Sequence, residues 1–559
     1  SIMRILLSAF NSQYVHSTLA LYSLAAQIPG DPGGVRPMIR EYSVNQDLQD
    51  VLRDVFVLEP DLIFLSLYIW NRRTTLDFIR DFHRIRPQCG IYLGGPEAST
   101  DPDTLLKEYP EIDGIFLGEG ETPFRTFLVH PDLREHGKIR IPGLMRRGGQ
   151  PVMAEPADLG KLRFPYGDRL PGDVENRILY YESGRGCPFH CAYCLSARDN
   201  RLRLRPVEKV LDELDFLLAN GVRTIKFVDR TFNAERDRAA RIWSWIRDRK
   251  ECECVFHFEV SADILSPEHL DILGRMPVGR VQLEIGLQSF NPRVLEICGR
   301  KSNLERLEDT MRLLRKNRNI HLHLDLIAGL PGEDPESFEI SFNRAFSLWP
   351  DMLQLGFLKV LKGTPMEQLA GEYGIVASAR PPYQVLSTGS LSFRDLEELR
   401  RVEAGLEGWY NRRPAPLVME KYAVRYPAGA MELFRTLGTG TSGAGREERF
   451  RRLYEVLSSV EEREQLKEDL RLDWVRGQEK KYVPEFLADS REEGLLLQCI
   501  REGRLPQPWA ERLAGMNPKS LYRRLGLVRL SGGHLAFFDY GRRTGLYGDP
   551  DMFVTGGRK

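Results

Sequence analysis

Gly186-Cys187-Pro188-Phe189-His190-Cys191-Ala192-Tyr193-Cys194 spaces three thiols as C-x3-C-x2-C, directly after an apolar run, Ile178–Ser183, that reads as a β-strand. Three thiolates from one loop can bind three irons of a cubane and leave the fourth open to a small chelating molecule. Zinc is the alternative, with His190 completing a tetrahedral site. Two facts weigh against zinc. His190 is immediately next to Cys191, which makes joint chelation of one ion awkward, and the loop follows the first strand of a βα series, at the end where such folds collect active sites.

C-terminal to the loop, strand patterns recur at Thr224–Asp229, Val255–Ser261, Val281–Gly286, Ile320–Ala328 and Leu353–Lys359. Helical patterns such as Val207–Ala219 and Leu304–Lys316 fill the gaps. Six parallel units in residues 177–375 suggest a partial (β/α)6 TIM-type barrel. Three of its strands alternate strictly. His257, Glu259, Ser261 and Asp263 oppose Phe256, Phe258 and Val260. Gln282, Glu284, Gly286 and Gln288 oppose Val281, Leu283, Ile285 and Leu287. His321, His323 and Asp325 oppose Ile320, Leu322 and Leu324. Strand side chains repeat every two residues, so each strand has one polar face. A lumen lined by such faces would bury polar groups at a cost of ~1–3 kcal/mol each if unpaired, and a polar ligand there explains the pattern. Glu284, His321, His323 and Asp325 are the substrate candidates; mutual hydrogen bonding is the plainer reading for individual members.

N-terminal to the loop, residues 1–135 alternate strand and helix. Strand cores lie at Ile5–Phe10, Leu62–Trp70, Ile91–Leu93 and Ile115–Leu117, with a less apolar one near Val35–Tyr42. Helical patterns lie at Leu19–Ile28, Leu48–Leu58 and Thr75–Ile85. Strands that are apolar throughout indicate a parallel sheet covered on both faces, and five βα units suggest a flavodoxin-like, Rossmann-like domain. Residues 136–176, rich in Gly, Pro and charge, read as a linker. Residues 376–559 read as a mostly helical, charged domain (Asp395–Tyr410, Arg446–Asp473) ending in an irregular tail. Gly438–Gly443 lacks the lysine of a phosphate loop and reads as a connector. The class is α/β with three domains.

Lys+Arg and Asp+Glu both number 79, which argues against a general nucleic-acid binder. No apolar run is long enough to span a bilayer. The N-terminus runs into a strand with no signal-peptide architecture, Ser1-Ile2 reading as a cloning remnant ahead of Met3. Eight cysteines in 559 residues are too sparse for a disulfide scaffold, which suggests a reducing, cytoplasmic protein. Cys89, Cys252, Cys254, Cys298 and Cys499 read as buried thiols.

The cysteine spacing, with Tyr193 before the third thiol, resembles the radical S-adenosylmethionine (SAM) superfamily. The resemblance implies a [4Fe–4S] cluster on Cys187, Cys191 and Cys194, an external flavodoxin- or ferredoxin-type electron donor, and cleavage of SAM to a 5′-deoxyadenosyl radical. Phe227-Val228-Asp229-Arg230-Thr231-Phe232 resembles the segment meeting the SAM amino group, with Arg230 where members often carry a second acid. Tyr193, Glu259, Ser261, Gln288 with Ser289, Gly329 and Leu330 resemble further SAM-contacting positions. Ahead of this core, Asn11, Tyr14 and His16 follow strand one, Ser66 and Tyr68 strand three, Gly94, Gly95 and Pro96 strand four, and Gly118 and Gly120 strand five. All stand at carboxyl ends, where open α/β sheets bind ligands. Their order resembles the cobalamin-binding domain of B12-dependent radical SAM enzymes, in a branch with a C-terminal domain of unknown function. His16 lacks the Asp-x-His-x-x-Gly context, so the resemblance implies base-off cobalamin without an Asp-supported histidine ligand, and His16 reads first as a capping or buried residue. The methylthiotransferases have a similar layout, but bind a second cluster through three N-terminal cysteines where this chain has only Cys89.

The leading expectation is a cobalamin-dependent methyltransferase acting, through methylcobalamin, on an unactivated carbon or phosphorus centre of an unknown small molecule or peptide. B12-dependent cyclisation or rearrangement without methylation is the alternative. A plain radical SAM enzyme with a relic N-terminal domain, or a cobalamin or iron sensor with a helical effector domain, rank below. The C-terminal domain is expected to cap the barrel mouth, with Trp409, Tyr410, Arg412, Phe537 and Tyr540 as candidate substrate contacts against a default of packing.

Overall fold

The computed structural model describes residues 2–28, 35–199, 201–439, 444–477 and 482–556. Residues 440–443 of the expected connector lie outside them. Two compact units divide the chain: Ser1–Ser261 with Lys359–Glu372 and Val376–Val385, and Ala262–Leu358 with Tyr373–Ile375 and Leu386–Lys559.

The first unit begins with β1 (Met3–Asn11), β2 (Val35–Ser43), β3 (Leu62–Ser66), β4 (Gly90–Gly94), β5 (Gly114–Phe116) and β6 (Leu144–Met145). Their order in the sheet is β2-β1-β3-β4-β5-β6, parallel except for β6. The first five reproduce the doubly wound order expected of a flavodoxin-like sheet. Ile5, Leu6 and Leu7 of β1 are fully buried, because helices cover both faces and no side of the strand meets water. The helix Leu48–Leu58 keeps its expected bounds, its first turn capped by the Asp47 carboxylate accepting from the Gln49 N–H. Residues 136–176 are more than a linker. They supply β6 antiparallel to β5, through Ile115↔Met145 and Phe116↔Leu144. The two-residue strand is too short to show a period, so glycine and proline dominated the sequence signal.

The same unit continues with β7 (Leu179–Tyr181), β8 (Gly184–Arg185), β9 (Arg203–Leu204), β10 (Thr224–Phe227) and β11 (Val255–Val260). β10 lies parallel between β7 and β11. β8 and β9 pair antiparallel, Gly184↔Leu204 and Arg185↔Arg203, and pinch off a loop that carries all three clustered cysteines.

In the second unit β12 (Val281–Gln288), β13 (His321–Ala328) and β14 (Met352–Phe357) run parallel in chain order. On β12 burial alternates at every residue, as the sequence predicts. The β12–β13 register slips between Gly286 and Gln288, a bulge of the kind that re-aims a side chain beside a functional site. The C-terminal region is helical through Phe393–Leu406, Arg446–Leu457 and Arg463–Arg476. The last two form the helical pattern read over Arg446–Asp473, broken between Leu457 and Arg463. The tail is not irregular: Leu525–Arg529, Leu535–Thr544 and Asp549–Val554 form a three-stranded antiparallel sheet.

That sheet meets the parallel strands of the same unit at one end. Tyr547, between its last two strands, donates its hydroxyl to Asp351 beside the start of β14 and packs against His321, the first residue of β13. These are the amino ends of β13 and β14. The expected contacts serve as packing: Trp409 and Phe537 are buried, the Tyr410 hydroxyl donates to the Pro350 carbonyl, and Tyr540 donates to that of Val475. No helix among the described residues is long and apolar enough to cross a membrane.

Candidate functional site

The cysteine loop is set by backbone geometry. Gly186 adopts φ +82°, and a Cβ there would strike the Arg201 carbonyl, so only glycine lets the returning strand pass. The Cys187 N–H donates to the Asp199 carbonyl at 3.2 Å and the Cys194 N–H to that of Cys191 at 3.0 Å. Cys187 and Cys191 are buried and Cys194 is half-buried; none of the three is in a disulfide. His190 is exposed. Among the described residues no three His, Cys, Asp or Glu side chains gather to hold a single ion. A cubane takes one thiolate per iron, so its ligands need not converge on one atom, whereas zinc requires them to.

Two adjoining cavities open in the first unit. One of about 400 Å³ lies at the carboxyl ends of β3, β4 and β5, lined by Ser66, Gly94, Gly95, Pro96, Gly118 and Gly120 with Phe64, Phe116 and Phe124 at its wall. A Cβ on Gly94 would meet nothing nearer than Phe116 at 3.9 Å, so it would project into this space. The other, about 600 Å³, is lined by Asn11, His16, Tyr68 and Trp70 and by Tyr180, Lys226, Arg230 and Glu259 of β7, β10 and β11 and their ends. Ala20, Tyr68, Glu121, Glu182 and Arg185 belong to both. Tyr68 and Trp70 stack with ring centres 4.3 Å apart.

Charge concentrates at the junction. Arg185 donates to Glu182 at 2.7 Å, to Glu119 at 3.0 Å and to Glu121, while Arg203 bonds Glu119 and, at 2.8 Å, Asp199. Burial opposes ionisation of Glu121, but the Arg185 guanidinium prevails and its pKa falls below the ordinary value. For Glu182 burial prevails over Arg185, and the carboxyl is pushed up to about 7. Burial, then Lys226 and Arg177, lowers His16, whose Nδ1 lies 2.7 Å from the Tyr180 hydroxyl. That favours a neutral imidazole, bonded to Tyr180 and half-buried in the lining of the larger cavity.

Not every expected residue faces these cavities. Tyr14 lines neither; it is exposed beneath the Arg177 guanidinium. Asp229 is buried, accepting from the Ser183 N–H at 2.8 Å and the Ser183 hydroxyl, so its carboxylate is spent inside the fold. Glu259 lines the larger cavity with Arg230 4.0 Å away. Ser261 is pinned through its backbone by the Asn233 amide. Sequence reasoning missed Glu182, Arg185 and Lys226. Lys226 was findable, since it holds the polar place in the alternation of Thr224-Ile225-Lys226-Phe227.

In the second unit Gln288 sits at φ +73° on the bulge with Oε1 buried and without a partner. Gly329 has φ +91° and Leu330 is fully buried. His323 approaches Asp325 and Gln354 at 3.0 Å each; burial lowers its pKa, but Asp325 and Glu284 outweigh that and raise it. His321 is lowered, by burial first. Glu333, fully buried, accepts from Ser289 at 2.8 Å and Ser337 at 3.0 Å; burial pushes it up to about 7. Unfolded, it ionises near 4.5, so between the two values the folded state holds the extra proton. Stability therefore falls as pH rises through this window, by on the order of 3 kcal/mol, and is level above it. Glu333→Gln is expected to flatten the decline in melting temperature from pH 5 to pH 8 seen by differential scanning fluorimetry. An unchanged slope would remove Glu333 as its source.

Three family models match successive parts of the chain: the B12 binding domain over residues 6–128, the Radical SAM superfamily over 181–345, and a protein of unknown function, DUF4080, over 371–527. A 2-(S-pantetheinyl)-carbapenam-3-carboxylate methyltransferase from Streptantibioticus cattleyicolor is 29% identical over 327 residues, 50% of this chain and 44% of its own length. This chain thus matches less than half of that relative. Among solved structures, the cobalamin-dependent SAM radical enzyme OxsB with aqua-cobalamin bound aligns over 93% of this chain and 84% of its own, with TM-score 0.61 and 16% identity. The radical SAM methyltransferase TsrM from Kitasatospora setae, with cobalamin and a [4Fe–4S] cluster, aligns over 68% and 78% with TM-score 0.56 and 20% identity. At these identities the likeness is one of fold.

Proposed function

From the premise that this chain is a radical SAM protein with a B12-binding domain and a DUF4080 domain, we propose that it is a cobalamin-dependent methyltransferase acting on an unactivated carbon or phosphorus centre. The observation that carries this reading is the shared cavity. Asn11, His16 and Tyr68, from the ends of the N-terminal sheet, line the same space as Lys226, Arg230 and Glu259, from strands beside the cysteine loop. A cofactor seated on the sheet and one seated at those strands would meet there.

The residues fit both groups. Cys187, Cys191 and Cys194 would hold a [4Fe–4S] cluster; with SAM it supplies one-electron cleavage and a 5′-deoxyadenosyl radical, while cobalamin carries the methyl group. The glycine-lined cavity, apolar at its wall, suits a detached nucleotide base and hence base-off cobalamin. Arg230 and Glu259 offer hydrogen bonds to the polar end of SAM, with Asp229 holding the segment through Ser183. Glu182, at the junction, carries or releases a proton near neutrality, and Arg185 fixes its position.

Incubation with methyl-labelled SAM, cobalamin, a reductant and a candidate-substrate extract tests the proposal. Methylation yields 5′-deoxyadenosine and S-adenosylhomocysteine together and moves label into a product. 5′-Deoxyadenosine without S-adenosylhomocysteine would replace methyl transfer with rearrangement, and neither product would defeat the enzymatic reading.

A further inference from the structure

Thr231 heads the turn Phe232–Ala234, a place where a threonine hydroxyl ordinarily accepts from the first free N–H groups. Here it makes no such cap. Its hydroxyl oxygen instead lies 3.4 Å from the Cys187 sulfur, and both residues are buried. The neighbours hold it there. Asp229 accepts from the Ser183 N–H at 2.8 Å and Arg238 donates to the Ser183 carbonyl at 2.9 Å, which fastens the end of β10 to the chain just ahead of the cysteine loop. Phe232 packs among Phe227, Trp243 and Phe258, with ring centres 4.4 to 5.3 Å away. The Asn233 amide donates to the Ser261 carbonyl at 2.9 Å and accepts from the Ser261 N–H at 3.0 Å. With residues on both sides pinned, the hydroxyl has a set place. Arg230, one residue earlier, lines the larger cavity, so one segment serves both the cavity and the loop. In the free thiol either atom could give the hydrogen. A Cys187 thiolate bound to iron has none to give, so there only the hydroxyl donates.

We propose that Thr231 is a positioning residue that donates a hydrogen bond to the Cys187 thiolate and thereby raises the reduction potential of the [4Fe–4S] cluster. The proposal rests on the cluster assignment above and adds to it the side chain that tunes it. Hydrogen bonds to the sulfurs are among the factors that set such potentials. The sign follows from charge. One-electron reduction adds negative charge that the ligand sulfurs share, and a hydrogen bond to a more negative acceptor is stronger. The bond therefore stabilises the reduced state more than the oxidised one. In the step itself one electron passes from a low-potential reductant to the cluster; the reductant is oxidised by one electron, the hydrogen stays on the Thr231 oxygen, and no bond forms or breaks.

The test is a dithionite titration of the reconstituted enzyme with mediator dyes, the reduced fraction being read by electron paramagnetic resonance. Thr231→Val removes the hydroxyl and keeps the shape of the side chain. At a fixed potential its ratio of reduced to oxidised cluster is expected to fall about tenfold, a midpoint lower by 59 mV for a one-electron couple. Thr231→Ser keeps a hydroxyl and should stay within about twofold of wild type. A merely structural role would lower iron content or melting temperature in Thr231→Val and leave the midpoint of the remaining clusters in place. A fall of less than about threefold in Thr231→Val, or a rise, overturns the proposal, and so does a serine variant displaced as far as the valine one. Should Thr231→Val hold no iron, Thr231→Ala is titrated in its place, and wild type supplies a second readout. Exchange into D2O should move an iron–thiolate stretch in its resonance Raman spectrum, a shift that Thr231→Ser keeps; a spectrum indifferent to exchange overturns the proposal. Wild type that takes up no iron would defeat the cluster assignment itself. Full iron with an unmoved valine midpoint defeats this proposal alone.

Discussion

Anaerobically reconstituted wild type is expected to carry about four irons per chain with a broad band near ~400 nm, and Cys187→Ala, Cys191→Ala or Cys194→Ala to carry almost none. The size of the effect follows from the loop. The β8–β9 pair closes it, Gly186 can be no other residue, and backbone hydrogen bonds fix the main chain at Cys187, Cys191 and Cys194. Removing one thiolate leaves two where the cubane needs three, and the remaining residues offer no substitute in place. The rival account, in which these are merely buried thiols, makes a different forecast: a core Cys→Ala change would cost about 1 kcal/mol and no colour. His190→Ala separates cluster from zinc. His190 is exposed, so iron should be retained in that variant, whereas a tetrahedral Cys3His site would lose its metal. A triple cysteine variant that keeps full iron would end the assignment.

The parts of the fold that were legible in the sequence are those where one periodicity governs a whole element. The alternation of Val281–Gln288 is visible as text and as burial, because one face meets helices and the other does not. The helix Leu48–Leu58 kept its bounds because apolar spacing and the Asp47 cap agree, and Val207–Ala219 kept its bounds on apolar spacing without a side-chain cap. The failures have two physical causes. β6 and the pairs at Gly184 and Arg203 are two residues long, below any period, and are created by the partner strand. The C-terminal sheet was hidden because Leu535–Thr544 crosses from buried to exposed midway, so its second half carries no alternation. The site divided in the same way. Backbone-determined features, the cysteine spacing and the glycines at strand ends, could be read directly. Side-chain direction could not: Asp229 turns to Ser183, and Tyr14 turns away under Arg177. Both outcomes depend on neighbours far along the chain.

Gly94→Leu is expected to lower cobalamin affinity at least thirtyfold, about 2 kcal/mol, while iron content and melting temperature stay near wild type. Gly94 ends β4 with a backbone conformation open to any residue, and its missing side chain faces the cavity of about 400 Å³. A leucine there would take up space the cofactor needs, since among the described residues its Cβ meets nothing within 4 Å but Phe116, at 3.9 Å. The adjacent glycine provides the contrast. Gly95 has φ +97°, and a Cβ there would lie 2.7 Å from the Leu67 carbonyl oxygen, so Gly95→Ala is expected to lower the melting temperature itself and lose corrin only as a consequence. Tyr14→Ala, at an exposed position outside both cavities, should bind cobalamin as wild type does. Titration of the three variants with hydroxocobalamin, followed by corrin absorbance after desalting, discriminates among these outcomes. Full corrin retention in Gly94→Leu would mean that the cofactor, if bound, sits elsewhere, and would break the link between the N-terminal sheet and the cavity it shares with the cysteine-loop strands.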